Sequence, residues 1–160
     1  NNKGYDSALN SGFIQAEKLR CDMVITFDAD GQHNADLLEK YIQLIENGSD
    51  VVIGIRDKFQ RVGEYIFSKI SKAKWGIADP LCGMKAYRID VYRKLGHFDS
   101  YNSIGTELSI FAVECGMEVK QLAIPTNKRI DMPRFGNRII ANFKILKSIY
   151  LVFFNRCKKK

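Results

Sequence analysis

Proline is scarce in this chain, with three residues in 160, and neither a low-complexity run nor an internal repeat interrupts it. That excludes a disordered linker and a solenoid. Histidine is scarcer still, at His33 and His97, and no two of the four cysteines (Cys21, Cys82, Cys115, Cys157) stand close enough for a C-x-x-C pair. A structural zinc site is thereby excluded, and the thiols read as reduced, mostly buried groups of a cytosolic protein. No stretch of these 160 residues reads as a signal peptide, nor as an uncharged apolar run of the roughly 20 residues that a membrane span needs. The first residue is Asn1, not Met, and Asn1-Asn2-Lys3-Gly4 reads as a loop entering a helix, so a fragment of a longer chain is expected.

What is present is a chain of one-domain length, 46% hydrophobic, able to bury a core. Its net charge of +7 is unevenly spread. Residues 128–160 hold ten Lys/Arg and one acid, Asp131, while the preceding 127 hold fifteen Lys/Arg and seventeen acids. A near-neutral body with a basic end lacks the spread basic face of a nucleic-acid binder. It suits a protein whose end meets an anionic surface such as phospholipid. Between Ile139 and Phe154 the apolar residues are interrupted by Lys144 and Lys147, and Arg156-Cys157-Lys158-Lys159-Lys160 follows. Such a segment suits a helix lying in a membrane interface, or a C-terminal helix packed on the domain.

Hydrophobic spacing predicts helices over 7–19, 35–47, 61–74 and 104–115. Continuous apolar runs predict buried strands at Met23–Phe27 and Val51–Ile55, with further strands at Gly83–Tyr87 and Val119–Ile124. Asn34 can cap the second helix and Gly48 can end it. The alternation predicts an α/β fold, and strand–helix–strand over 23–55 makes a parallel crossover the default.

Asp28-Ala29-Asp30-Gly31-Gln32-His33 directly follows the first apolar strand. Side chains alternate along extended chain, so Asp28, Asp30 and Gln32 can point the same way, at the strand end where open sheets place ligands. Two close carboxylates repel unless a cation lies between them. Oxygen-only ligands with open positions suit Mg²⁺ or Mn²⁺ carrying a phosphate-bearing substrate, and Gly31 allows close approach of the ligand. His33 is either a ligand or a polar turn residue. A calcium loop of the EF-hand type is disfavoured, because His33 stands where its glycine is required and a strand, not a helix, precedes. A phosphatase of the haloacid dehalogenase type, with Asp28 as nucleophile, also fits D-x-D after a strand. Gln32 departs from its usual Thr or Val, however, and no convincing downstream lysine and acidic pair follows.

The ordered set of segments resembles the family 2 inverting glycosyltransferases of the GT-A fold, particularly the branch of polyprenyl-phosphate sugar synthases. Asn2-Lys3-Gly4 with Ala8-Leu9-Asn10-Ser11-Gly12 is similar to the glycine-containing turn and helix before the metal strand. Asp28-Ala-Asp30-Gly-Gln32-His is similar to the D-x-D region, and Asp50-Val-Val-Ile-Gly-Ile-Arg56 to a strand ending in arginine. Asp79-Pro-Leu-Cys-Gly83-Met-Lys-Ala-Tyr87-Arg88 resembles the acceptor-side loop and strand, and Gly105-Thr-Glu107-Leu a helix start carrying an acid. The N-terminal strands that recognise the base have no counterpart here. No clear Ser-Lys follows Arg134-Phe135-Gly136.

The resemblance implies a GT-A (Rossmann-like), mostly parallel sheet flanked by helices and N-terminally truncated. Residues 1–136 would form the partial catalytic domain and 137–160 a basic amphipathic helix and tail. It implies transfer of a sugar, with inversion, from a nucleotide-sugar donor to a polyprenyl phosphate or glycan, at the inner face of a membrane. Asp28, Asp30 and Gln32 would hold the metal. Lys3, Gly4, Asp28, Arg56, Arg61, Asp79 and Gly83 would contact substrate, and Glu107 with Asp30 would be catalytic. Glu107 would serve as base for a hydroxyl acceptor, or else cap its own helix. Trp75, the single tryptophan, is read as a core anchor in preference to a sugar-stacking ring. Because the base-recognition strands are missing, a non-catalytic interaction module is the other reading.

Overall fold

A computed structural model of the chain describes residues 4–28, 35–125 and 138–154. Ten elements follow in order: α1 (Tyr5–Lys18), β1 (Met23–Thr26), α2 (Leu37–Glu46), β2 (Val51–Arg56), α3 (Val62–Trp75), β3 (Lys85–Arg88), α4 (Ile89–Leu95), α5 (Glu107–Glu114), β4 (Val119–Ile124) and α6 (Arg138–Phe154). The expected helices and strands are present within a few residues of their predicted bounds. Helix α4 was not anticipated, being a single short segment of seven residues that starts directly at the end of β3. Asn34, the expected cap of α2, lies outside the described residues.

The sheet order is β1-β3-β2-β4. β2 pairs in parallel with β4, whereas β3 lies antiparallel between β1 and β2. Three of the four strands therefore run the same way. The expected direct neighbours β1 and β2 are separated by β3. The crossover through α2 skips one strand position, and β3 enters that gap with the opposite direction.

Alternation along the strands divides the core into two layers. Val51, Ile53 and Tyr87 face one side, with Phe13 of α1, Phe67 and Trp75 of α3, Leu108 and Ile110 of α5, and Ile145 and Val152 of α6. Val52, Met84 and Ala86 face the other side, where α2 covers them with Leu37, Tyr41 and Ile45 spaced four residues apart. Phe13 stacks on Tyr92 and Phe98 at 5.2 and 4.9 Å between centroids, locking α1 over α4 and the following loop. Trp75 is buried, donates its indole N–H to Glu114 at 2.8 Å and packs on Phe153. It is a core anchor, as expected.

Helices α3 and α4 each stop at a glycine, Gly76 (φ 73°) and Gly96 (φ 84°), whose N–H returns to the carbonyl of Lys72 and Tyr92 respectively. The left-handed backbone there carries no Cβ penalty only for glycine. Helix α6 is not detached from the body. Its Ala141, Ile145, Ser148 and Val152 are buried, its Asn142 side chain accepts the Gly63 N–H of α3, and Ser148 donates to the Ser103 carbonyl. Of the described cysteines only Cys82 is buried; Cys21 is half-buried and Cys115 exposed, so the thiols are less enclosed than their apolar character suggests.

Candidate active site

Residue 28 ends up beside residue 83 because of strand register. Thr26 pairs with Lys85 across the antiparallel β1–β3 ladder, and continuing that register by two residues sets Asp28 opposite Gly83. The Thr26 hydroxyl fixes the end of the ladder, donating to the Gly83 carbonyl at 2.7 Å and accepting the Lys85 N–H at 3.2 Å. A Cβ on residue 83 would overlap the Asp28 carboxylate. The glycine thus forms the floor on which that carboxylate rests. Asp28 is half-buried, and burial, then the Asp28 charge, pushes the Tyr5 hydroxyl of α1 above its ordinary pKa.

One residue pair along the sheet, Arg56 closes the carboxyl end of β2. Its Nε and Nη2 donate to the two oxygens of Asp79 at 2.7 and 2.9 Å, and its backbone N–H adds a third bond at 3.2 Å. Nη2 also lies 3.4 Å from Glu64, which takes Arg61 at 2.7 Å and the Gln60 N–H at 3.1 Å. Burial pulls the Arg56 pKa down, but the Asp79 hydrogen bonds and charge outweigh it and hold the guanidinium firmly protonated. Burial, then the Asp79 charge, pushes the neighbouring Cys82 thiol up to about 11, so it stays protonated at neutral pH.

Glu107 opens α5 and is buried. Its oxygens accept the Ser100 N–H at 2.6 Å and the Ser100 hydroxyl, and meet His97 Nε2 at 2.9 Å. It closes the 97–106 loop onto the start of its helix. The same loop contains Asp99, whose carboxylate accepts the N–H groups of Tyr101, Ser103 and Gly105 and the Ser103 hydroxyl. Asn102 and Ile104 take left-handed φ of 57°, followed by Gly105 at 67°. For a β-branched residue such as Ile104 this is strained backbone, held by its surroundings. Asp6 of α1 reaches the same loop. Burial, then the Asp99 charge, pushes its carboxyl up to about 6, against backbone hydrogen bonds from Gly105 and Ile104.

Among the residues expected at the site, Asp28 and Gly83 are brought together, as are Arg56, Arg61 and Asp79. Gly4 opens α1 with φ 91°. Lys3, Asp30, Gln32 and His33 lie outside the described residues. Glu64, Asp99, Asp6 and Lys85 were not anticipated in the surrounding networks of buried polar groups. The signals were faint: Glu64 stands three residues after Arg61, and Lys85 is the one charge in the run Met84-Lys85-Ala86-Tyr87.

A shallow recess of about 500 Å³ lies at the other end of the sheet, lined by Asp50, Arg88, Asp90, Arg93 and Lys94. Its Arg93 and Asp90 pair with each other at 2.9 Å, so it reads as a solvated ionic surface. A second recess of about 460 Å³ adjoins the Arg56 network, lined by Lys58, Phe59, Gln60, Arg61, Val62 and Tyr65.

A mixed α/β sheet with Asp28 at the tip of its edge strand β1, and Arg56 closing β2 on the far side of β3, matches the GT-A glycosyltransferase fold. The chain belongs to glycosyl transferase family 2, whose profile matches residues 1–104. It is 30% identical to an uncharacterized protein of Methanocaldococcus jannaschii over 91% of this chain and 66% of that one. It is 25% identical to the dolichyl-phosphate hexose transferase of Haloferax volcanii, over 79% of this chain and 58% of that one. Among solved structures, a glucosyl-3-phosphoglycerate synthase from Mycobacterium tuberculosis in complex with Mn²⁺, UDP and glucosyl-3-phosphoglycerate aligns with a TM-score of 0.64. That alignment has 15% identity and covers 92% of this chain and 54% of that one. The same synthase with Mg²⁺ and UDP aligns with a TM-score of 0.67, at 15% identity, over 92% of this chain and 54% of that one. The chain thus spans less than two thirds of the length of these relatives.

Proposed function

We propose that this chain forms the metal-side and acceptor-side part of an inverting glycosyltransferase, which passes a sugar from a nucleotide-sugar donor to a polyprenyl phosphate. The observation that carries the reading is the Asp28 carboxylate, set on the glycine floor at the tip of β1. The described half of the D-x-D pair suits a divalent cation: it is a hard oxygen donor at a strand end, with no side chain beneath it. No cluster of three or more His, Cys, Asp or Glu is formed among the described residues, and Asp30 and Gln32 lie beyond them. Asp28, Asp30 and Gln32 would hold Mg²⁺ or Mn²⁺. When bound, such a cation neutralises the charge that develops on a departing diphosphate.

In this reaction the bond between the anomeric carbon and the diphosphate oxygen breaks, and its electron pair leaves with the diphosphate. An acceptor oxygen forms the new bond from the opposite face. A phosphate acceptor is already ionised near neutral pH, since its second pKa is about 6, and needs no base. Glu107 supports that choice of acceptor. Its two oxygens are occupied by Ser100 and His97, which weakens its claim as a base for a sugar hydroxyl. The recess beside Arg61 joins Lys58 and Arg61 to Phe59, Val62 and Tyr65, a lining that suits an anionic head with an apolar tail. The naming of the Haloferax relative as a dolichyl-phosphate hexose transferase points the same way.

The outer face of α6 supports association with an anionic bilayer. Ile140, Phe143, Leu146, Tyr150 and Phe154 are exposed there, with exposed Lys144 and Lys147 among them. No helix among the described residues is long and apolar enough to cross a membrane.

The test is sugar transfer by the full-length protein, with Mn²⁺, a nucleotide sugar and a short polyprenyl phosphate. Transfer that Asp28→Ala and Asp30→Ala both abolish supports the reading; full activity in Asp30→Ala overturns the metal role. The non-catalytic alternative draws on the chain spanning less than two thirds of the length of its relatives. Titration of a nucleoside diphosphate with Mn²⁺ into this 160-residue chain separates the two, since an interaction module binds neither. Membership of the family weighs against the phosphatase alternative, which requires an aspartyl-phosphate at Asp28.

A further inference from the structure

Lys85, the first residue of β3, is the only buried lysine among the described residues and stands between the fully buried Met84 and Ala86. Its ammonium donates to two backbone carbonyls, Pro80 and Gly105, each at 2.8 Å. No carboxylate forms an ion pair with it among the described residues; the acids nearest in effect, Asp79 and Asp28, act through space. Burying a charge without a direct counter-ion is expensive, and two neutral acceptors offset only part of that cost. A methionine or leucine would fill such a core position without it.

The two carbonyls belong to two different loops, the first of which lies against Asp28. The first runs from Asp79, the partner of Arg56, to Gly83, the floor under Asp28. The second is the strained loop of Asn102, Ile104 and Gly105, which leads into Glu107. Gly105 is gripped at both ends, with its N–H on Asp99 at 3.2 Å and its carbonyl on Lys85. Asp99 belongs to the loop itself, so it shapes the loop without placing it. Lys85 belongs to the sheet, and it ties the shaped loop to the strand that also positions Gly83.

We propose that Lys85 is a positioning residue: one ammonium clasps the 79–83 loop and the 99–106 loop at the separation that transfer requires. The inference rests on the transferase reading for its kinetic part only. Lys85 itself touches no substrate, being enclosed.

The experiment compares full-length wild type with Lys85→Met and Lys85→Gln, the second retaining an amide donor should the first fail to fold. Transfer kinetics are measured with donor and acceptor varied in turn, alongside thermal unfolding and amide hydrogen exchange of 99–106. The clasp predicts a kcat at least tenfold lower in both variants, a donor KM within about threefold of wild type, and an unchanged or higher Tm. It also predicts at least tenfold faster exchange at the Ser103 and Gly105 amides. A purely structural lysine would lower Tm and leave kcat per folded molecule unchanged, which overturns the proposal, as do unchanged exchange rates. Wild type inactive in transfer would sink the transferase reading instead, and the exchange data would still decide whether Lys85 holds the loops.

Discussion

Asp79 and Arg56 meet as a fork on a fork, two side-chain hydrogen bonds of 2.7 and 2.9 Å between groups 23 residues apart. The Asp79 side chain is 1% exposed and that of Arg56 13%. Removing one member leaves the other charged and desolvated. Asp79→Ala is therefore expected to lower the unfolding free energy by about 3–5 kcal/mol, read from urea denaturation. Replacing Asp79 and Arg56 together by apolar residues should cost less than Asp79→Ala alone, because no charge is then stranded.

Gly83→Ala tests the floor under Asp28. The added methyl must displace the carboxylate, while the rest of the strand is untouched. Mn²⁺-dependent binding of a nucleoside diphosphate, followed by calorimetry on the full-length protein, should weaken at least tenfold, with Tm shifting by only a few degrees. Unchanged binding would show that Asp28 does not need this position.

Asp6 should make stability depend on pH in the direction opposite to a salt-bridged acid. Its carboxyl is raised from 3.8 to about 6 by burial and then by Asp99, so the folded chain holds an extra proton between those values. The stability it contributes is complete below pH 3.8 and is lost as pH rises through 6. Asp6→Asn should therefore raise Tm at pH 7.5 and lose that advantage at pH 4. Matched thermal melts at the two pH values check this; equal gains at both would contradict it.

On the outer face of α6, Phe143 is 69% exposed and Tyr150 57%. The double variant Phe143→Glu with Tyr150→Glu should fold normally, because Ala141, Ile145, Ser148 and Val152 carry the contact with the body. It should sediment several-fold less with phosphatidylglycerol vesicles than wild type does. Equal sedimentation would place any membrane contact elsewhere.

Periodicity made most of the elements legible. Helix α2 could be recognised because Leu37, Tyr41 and Ile45 recur on one face, and β2 because Val51, Val52 and Ile53 are apolar on both. These patterns record burial directly, since each side chain either faces the core or does not. The order of the strands is not recorded that way. β3 is only four residues long, and an apolar run has the same composition whether its neighbours are parallel or antiparallel. Helix α4, with seven residues, is too short for a repeat to show.

The sequence by itself determined the α/β class, the oxygen-bearing residue types at 28–33 and the family to which the chain belongs. All three are local, carried by residue types and their spacing. Only the tertiary structure decided what Arg56, Asp79 and Lys85 do, because each acts through a partner distant along the chain. Lys85 reaches Gly105 across twenty residues, and Arg56 reaches Asp79 across twenty-three. A single sequence lists those charges without saying which of them meet. Strand register and loop placement settle that, through the energetic need of every buried charge to find a partner.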